Sequence, residues 1–199
     1  MTEKEKMIAG KLYDASDSEL VSLRRTAHKL CADYNNTYED ETKKRETILK
    51  QLFGETENLT LQGPIQFDYG IFTNFGKGCY ANFNLTVLDC CPVTVGDNVF
   101  FGPNCTLATP VHPMLPHERN PFTDENGRFT CQEYAKPIVI GNDCWLASNV
   151  TVCAGVTIGE GCVIGAGSVV TRDIPPHTFA AGVPCRVIKN ITDDMSVMQ

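Results

Sequence analysis

Long apolar runs are missing from this chain of 199 residues: no stretch approaches the roughly 20 apolar residues that span a bilayer. The opening, MTEKEKMIAGKLYDASDSEL, has no apolar run behind its charges and does not read as a secretory signal. Positive charge is scarce as well. Against 24 Asp and Glu stand 17 Lys and Arg, a formal net charge of −7, which argues against nucleic acid as a partner. These absences point to the cytosol, with neither membrane nor nucleic acid as partner. Histidine is limited to four residues and tryptophan to one, so any role for either falls on few positions. What remains, 42% hydrophobic and 21% charged, is the balance of a soluble globular domain.

Cysteine is plentiful, at ten. A short secreted chain would pair so many, and a cytosolic one would use them for metal or catalysis. No CxxC pair is present, and Cys90 and Cys91 are merely adjacent. A repeat supplies a simpler reason.

From Ile140 the chain counts in sixes through Leu146, Val152, Ile158, Ile164 and Val170. The residues that follow these, Gly141, Ala147, Cys153, Gly159, Gly165 and Thr171, are mostly small. Four places after each aliphatic stand Cys144, Val150, Val156, Cys162, Ser168 and Ile174. A period of six marks a parallel β-helix, in which each unit is a short strand and its turn, one side of a three-sided prism. The aliphatic fills the core, the glycine after it is expected to free the backbone at the corner, and the fourth residue points inward where room is short. The same count holds at Val95, Phe101 and Leu107, and more loosely at Phe75, Ala81 and Val87, with a two-residue slip before Val95. Cys79, Cys91, Cys105, Cys144 and Cys162 all take the fourth place, so they read as core filler rather than metal ligands.

The count stops between Leu107 and Ile140. That stretch, ATPVHPMLPHERNPFTDENGRFTCQEYAKP, holds five prolines and two of the four histidines. A loop this long inside a compact domain is usually functional. It is expected to leave the rod over residues 108–137 and to shelter a site. Ahead of the rod, apolar spacing predicts a helix from Asp17 to Asn35, capped by Asp17 or Ser16, and another from Glu39 to Phe53, stopped by Gly54. The expected organisation is a helical segment over 1–55, a rod over 56–190 ending in the extended CRVIKNI, and a frayed tail over 191–199. In the loop, His112 sits between stiffening prolines, and a neutral imidazole is the best general base near neutral pH. Glu118 and Arg119 follow it closely.

A hexapeptide rod with a histidine in a long ejected loop resembles the left-handed β-helix acyltransferases. EKEKMIAGKLYDASDSEL, YANFNLTVLD, the HP at 112–113, IGNDCWLASNVTV and GAGSVVTRDIPPHTFAAGVPCRVIK are similar to the maltose and galactoside O-acetyltransferases, over about residues 3 to 190. The fold implied is mainly β, a left-handed parallel β-helix with an N-terminal helical segment. The resemblance implies a cytoplasmic homotrimer with sites between subunits, acetyl-coenzyme A as donor, a sugar hydroxyl as acceptor, and no catalytic metal.

The resemblance also assigns residues. His112 matches the family's catalytic base, acting directly in a ternary complex. Asn82 matches a position that hydrogen-bonds the reacting groups. Asp17, Asp68 and Asp89 join Asn82 as acceptor positions, although Asp17 reads equally as a helix cap. Some relatives carry a second acid after Asp89, where this chain has Cys90. Trp145, Ser148, Ala166 and Thr171 match the coenzyme A groove, and Arg172, Arg186 and Lys189 could meet its phosphates. Relatives often carry arginine at Lys189, which keeps the charge without the planar fork. Other readings are a non-sugar acceptor such as an antibiotic or amino acid, a zinc lyase, which needs three histidine ligands and has only His112 and His117 nearby, and a non-catalytic assembly rod.

Overall fold

The computed structural model describes residues 1–125 and 127–198; Asn126 of the loop and Gln199 of the tail lie outside the described residues. The chain winds as a left-handed β-helix whose three sides are parallel sheets of very short strands. The first side stacks Thr73–Phe75, Val93–Val95, Ile138–Ile140 and Thr157–Ile158. The second stacks Thr60–Leu61, Tyr80–Ala81, Phe100–Phe101, Trp145–Leu146, Val163–Ile164 and Thr178–Ala181, and ends on the antiparallel Arg186–Asn190. The third stacks Ile65–Phe67, Leu85–Leu88, Thr106–Ala108, Thr151–Val152 and Val169–Val170.

Register follows the sixfold count. Phe75, Val95, Ile140 and Ile158 lie above one another, as do Ala81, Phe101, Leu146 and Ile164, and Val87, Leu107, Val152 and Val170. All are buried except Phe75, which is half-buried against Phe53, the ring centroids 5.2 Å apart. The rod starts one coil earlier than the count showed, at Leu61 and Phe67, which pair with Ala81 and Val87. The fourth-place residues are buried, cysteines included, and all ten cysteines are unpaired. Cys91 differs from the expectation: it packs outside the rod core, with Met7, Tyr13, Leu20, Tyr69, Cys90 and Ala135.

The glycines after the aliphatics do something other than turn corners. The left-handed backbone falls two places further on, at Gly78, Asn84, Asn98, Asn104, Asp143, Asn149, Gly155, Gly161 and Gly167. The glycine itself allows the next coil to approach. A Cβ on Gly141 would lie 2.5 Å from the backbone nitrogen of Glu160. The corner asparagines add a ladder of their own: Asn84 Nδ2 donates to Asn104 Oδ1 at 2.8 Å, and Asn104 Nδ2 to Asn149 Oδ1 at 3.1 Å.

Helices close the open end. Besides the two expected helices there is a short α1, Glu3–Ile8, held by a capping box between Thr2 and Glu5. The second helix, α2, runs Ser18–Asn35 with Asp17 as its side-chain cap. The third, α3, is Thr42–Phe53, starting later than expected because Glu41 turns back to the Tyr38 N–H at 2.7 Å; Gly54 ends it. Tyr34 donates to Leu61 O at 2.6 Å, Asn35 exchanges two bonds with Ile65, and Arg45 donates to Leu61 O and Gln62 O. The bare backbone edge of the first coil is thus covered. In the tail, a 3₁₀ turn at Asp193–Met195 replaces part of the expected frayed end.

Two glycine substitutions separate the two roles. Gly141→Ala forces the coils apart and is expected to cost at least the ~1–3 kcal/mol of an overpacked core. Gly167→Ala, at φ 71° with open space around it, is expected to cost about 1 kcal/mol for its left-handed backbone. Urea unfolding at a single protein concentration measures both; a larger loss at Gly167 would contradict the close-approach role.

Candidate active site

Three excursions leave the rod at one edge, where the third side passes to the first. Steps of eight residues replace six between Phe67 and Phe75 and between Val87 and Val95. One coil higher, residues 109–137 leave at the same edge. They fold back as strands rather than as an irregular loop. Tyr13–Asp14, Gln132–Ala135 and Pro110–Val111 form an antiparallel sheet, with Tyr13 opposite Glu133 and Val111 opposite Tyr134. A short helix α4, Pro116–Arg119, and a hairpin of Phe122–Thr123 with Phe129–Thr130 complete the excursion.

His112 follows the last residue of Pro110–Val111 and is 54% exposed. Its Nε2 lies 3.5 Å from Glu133 Oε2, on a carboxylate only 14% exposed. The other Glu133 oxygen accepts from the Tyr13 hydroxyl. Arg119 donates to Pro113 O and Met114 O at 3.4 and 3.3 Å, pinning the chain just past the histidine. An imidazole with one nitrogen toward a carboxylate and the rest open to solvent is suited to take a proton from an incoming hydroxyl. Glu133 was not singled out from the sequence, because its relation to His112 exists only through strand pairing. Arg128 went unnoticed for the same reason. It ties the hairpin down through Asp124 at 2.9 Å and Asp14 at 3.5 Å.

The acidic positions come to this same edge in different states. Asp17 caps α2, accepting from Glu19 N at 3.0 Å and Leu20 N at 3.4 Å. Asp68 lies 3.6 Å from His28 Nε2 and accepts from the Cys90 thiol at 3.6 Å. Asp89 is fully buried, with Oδ1 taken by Tyr69 N at 2.8 Å and Oδ2 by the Thr73 hydroxyl at 3.0 Å. It holds the two-residue excursions together beneath the site and is closed to an acceptor in this chain. Cys90 is also buried, at 4% exposure.

Asn82 stands elsewhere. It follows Tyr80–Ala81, at the edge where the second side passes to the third, and its Oδ1 accepts from Phe83 N at 2.7 Å. A whole side of the prism separates it from His112. Gly102, Ser148 and Ala166 continue its edge upward: Gly102 N donates to Leu146 O at 2.7 Å and Gly167 N to Ser148 O at 2.9 Å. Arg186 is opposite Ala181 at the top of this edge. Trp145, 51% exposed, projects from the second side between Phe100 and Val163, with Lys189 further up beside Phe179. Thr171 and Arg172 are exposed on the histidine's edge instead. The candidate residues therefore form two groups on two edges. Among the described residues, no three His, Cys, Asp or Glu side chains converge as metal ligands, and no helix is long and apolar enough to cross a membrane.

Residues 6–57 match the maltose acetyltransferase hexapeptide capping motif, 92–112 the hexapeptide repeat of succinyl-transferase, and 137–172 the six-repeat bacterial transferase hexapeptide. The fold and its repeats thus define a hexapeptide-repeat acyltransferase. The chain is 43% identical to the galactoside O-acetyltransferase of Escherichia coli K12, over 97% of this chain and 91% of that one. The crystal structure of a maltose O-acetyltransferase from Clostridium difficile 630 superposes with a TM-score of 0.88 at 46% identity, covering 97% and 99% of the two chains. A galactoside acetyltransferase in complex with coenzyme A gives 0.85 at 41%, covering 98% and 93%. The chain belongs to the maltose and galactoside O-acetyltransferase family.

Burial pushes the Asp89 carboxyl up to about 6, against the opposing pull of its bonds from Tyr69 and Thr73. The folded protein holds this proton more tightly than the unfolded chain does. The contribution of Asp89 to stability is therefore full below about pH 4 and lost as the pH rises to about 6. Asp89→Asn can keep the bond from Tyr69 N through its Oδ1 and donate from Nδ2 to the Thr73 hydroxyl, without the charge. Relative to this variant, the wild type is expected to lose stability between pH 4 and 6.5 in parallel denaturation series. A gain over that range would contradict the buried-carboxyl assignment.

Proposed function

We propose that this protein transfers the acetyl group of acetyl-coenzyme A to a hydroxyl of a sugar of the maltose, glucoside or galactoside type, in the cytosol. The observation that carries the reading is the half-exposed His112 imidazole beside the Glu133 carboxylate. His112 removes the proton of the attacking hydroxyl, a contribution of about 10²–10⁴ in rate. The Asn82 amide donates to the charge that builds on the thioester oxygen, typically worth ~10²–10³. The ternary complex reacts directly, so no cysteine or serine nucleophile is required.

Donor binding falls to the edge that starts at Asn82. Its small residues, Gly102, Ser148 and Ala166, leave backbone accessible to an extended pantetheine arm. Arg186 and Lys189 stand at its upper end for phosphates, and Trp145 lines the adjoining side. Thr171 and Arg172, on the other edge, serve the same donor from a second subunit. The split between His112 and Asn82 supports a homotrimer in which one rod supplies the histidine edge and its neighbour the Asn82 edge. Asp17 and Asp68 border the acceptor on the histidine side, with Asp89 as their support from below. The helical segment 1–55 and the rod 56–190 act as one unit, and the tail 191–199 stands outside the chemistry.

Thiol release from acetyl-coenzyme A, with and without maltose, glucosides and galactosides, tests this. Sugar-dependent release in the wild type, reduced at least ~10²-fold in His112→Ala, is the expected result. Release only with an antibiotic or amino acid acceptor would overturn the sugar assignment, and equal release in the variant would overturn the base.

A further inference from the structure

The sheet under the histidine has an unusual origin. Two of its strands, Pro110–Val111 and Gln132–Ala135, belong to the ejected loop. The third, Tyr13–Asp14, comes from the helical segment at the far end of the sequence. Tyr13 is fully buried, yet its hydroxyl is not left to the apolar cluster around it. It donates to Glu133 Oε1, and the opposite oxygen of that carboxylate faces His112. Burial, with Cys90 and Glu133 beside it, pushes this hydroxyl well above the ordinary phenol range, so it stays a neutral donor at any working pH.

Other polar groups near the histidine are engaged elsewhere. Asp14 turns to Ser16, Thr130 and Arg128. Arg119 is bound to backbone carbonyls. On α1, which packs against the strands of Tyr13 and Glu133, Glu3 accepts from Asp14 N and from Lys6, Lys4 pairs with Glu19, and Glu5 accepts from Thr2 N. His117 and Glu118 on α4 and Tyr134 on the paired strand are the other ionisable groups of these elements. Glu133 is thus held between two partners, one buried and one catalytic. A carboxylate with a single partner could rotate toward solvent; the buried hydroxyl removes that freedom.

Resting on the proposed role of His112 as base, we infer that Tyr13 is a positioning residue for catalysis, its hydroxyl fixing Glu133 against His112 and so making the N-terminal segment part of the active site. Cys90 supports this as a small neutral neighbour packed in the same cluster. An acid in its place would set a third carboxylate beside Asp68 and Glu133.

The test is a double-variant cycle of Tyr13→Phe and Glu133→Gln in the full-length enzyme. Tyr13→Phe keeps the ring and its burial. The expected result is a fall in kcat of about tenfold, the scale of one lost hydrogen bond to a charged group, with both KM values changed by less than about twofold. In the Glu133→Gln background the same substitution should cost nothing further. An unchanged kcat, or the same loss in both backgrounds, would overturn the inference, because a merely structural hydroxyl acts independently of Glu133. Absence of turnover in the wild type would instead defeat the proposed reaction. In that event the ring nitrogen resonances of His112 decide: ¹⁵N NMR signals displaced alike by Tyr13→Phe and Glu133→Gln support the positioning role, and signals unmoved by Tyr13→Phe contradict it.

Discussion

Backbone hydrogen bonds between successive coils are the interaction on which everything else rests. Most strands are only two or three residues long, so none is stable alone. Their bonds run from coil to coil, as from Gly96 N to Ile140 O and from Gly141 N to Ile158 O, both at 2.8 Å. Such stacking demands close approach, hence the small residues after each aliphatic, and a tight interior, hence the buried thiols. It also leaves an open edge at each end. Tyr34, Asn35 and Arg45 cover the lower one, which makes the helical segment a structural requirement of the rod.

A rigid stack confines variation to its edges. All the extra residues within the coils leave at one edge, and each excursion braces another. Asp89 binds the backbone of the lowest through Tyr69, and the Cys91 N–H donates to Thr109 at 3.0 Å, at the root of the longest. The histidine is carried on a three-stranded sheet rather than a free loop. The proposed chemistry needs this stiffness, because a base contributes only while held in reach of its hydroxyl.

The rod was legible in the sequence because its signal is local and repeated: Ile140 to Val170 never miss a step. The count missed the first coil, although the rod expected over 56–190 includes it, because Leu61 and Phe67 offer only two beats before an eight-residue step. The corner role given to glycine was wrong for a related reason. Spacing shows where a small residue recurs, but only the stacked backbones show that Gly141 faces Glu160 and that Asn104 and Asn149 turn the chain. His112 and Asn82 were singled out through family resemblance, and their roles rest on the proposal above. Glu133 and Tyr13 were not, since a contact between residues 120 positions apart leaves no mark in spacing. The burial of Asp89 also needed the fold, for nothing in LDCC distinguishes an exposed acid from an enclosed one.

The central claim is that the working site is shared between chains, with His112 from one and Asn82 from its neighbour. Complementation tests it most directly. His112→Ala and Asn82→Ala, each expected to lose at least ~10² in activity alone, would be unfolded together, refolded and assayed for acetyl transfer. Random assortment in a ring of three rebuilds about one site in four, so about a quarter of wild-type activity should return. No recovery in refolded mixed assemblies would contradict a shared site and place both residues' work within one chain.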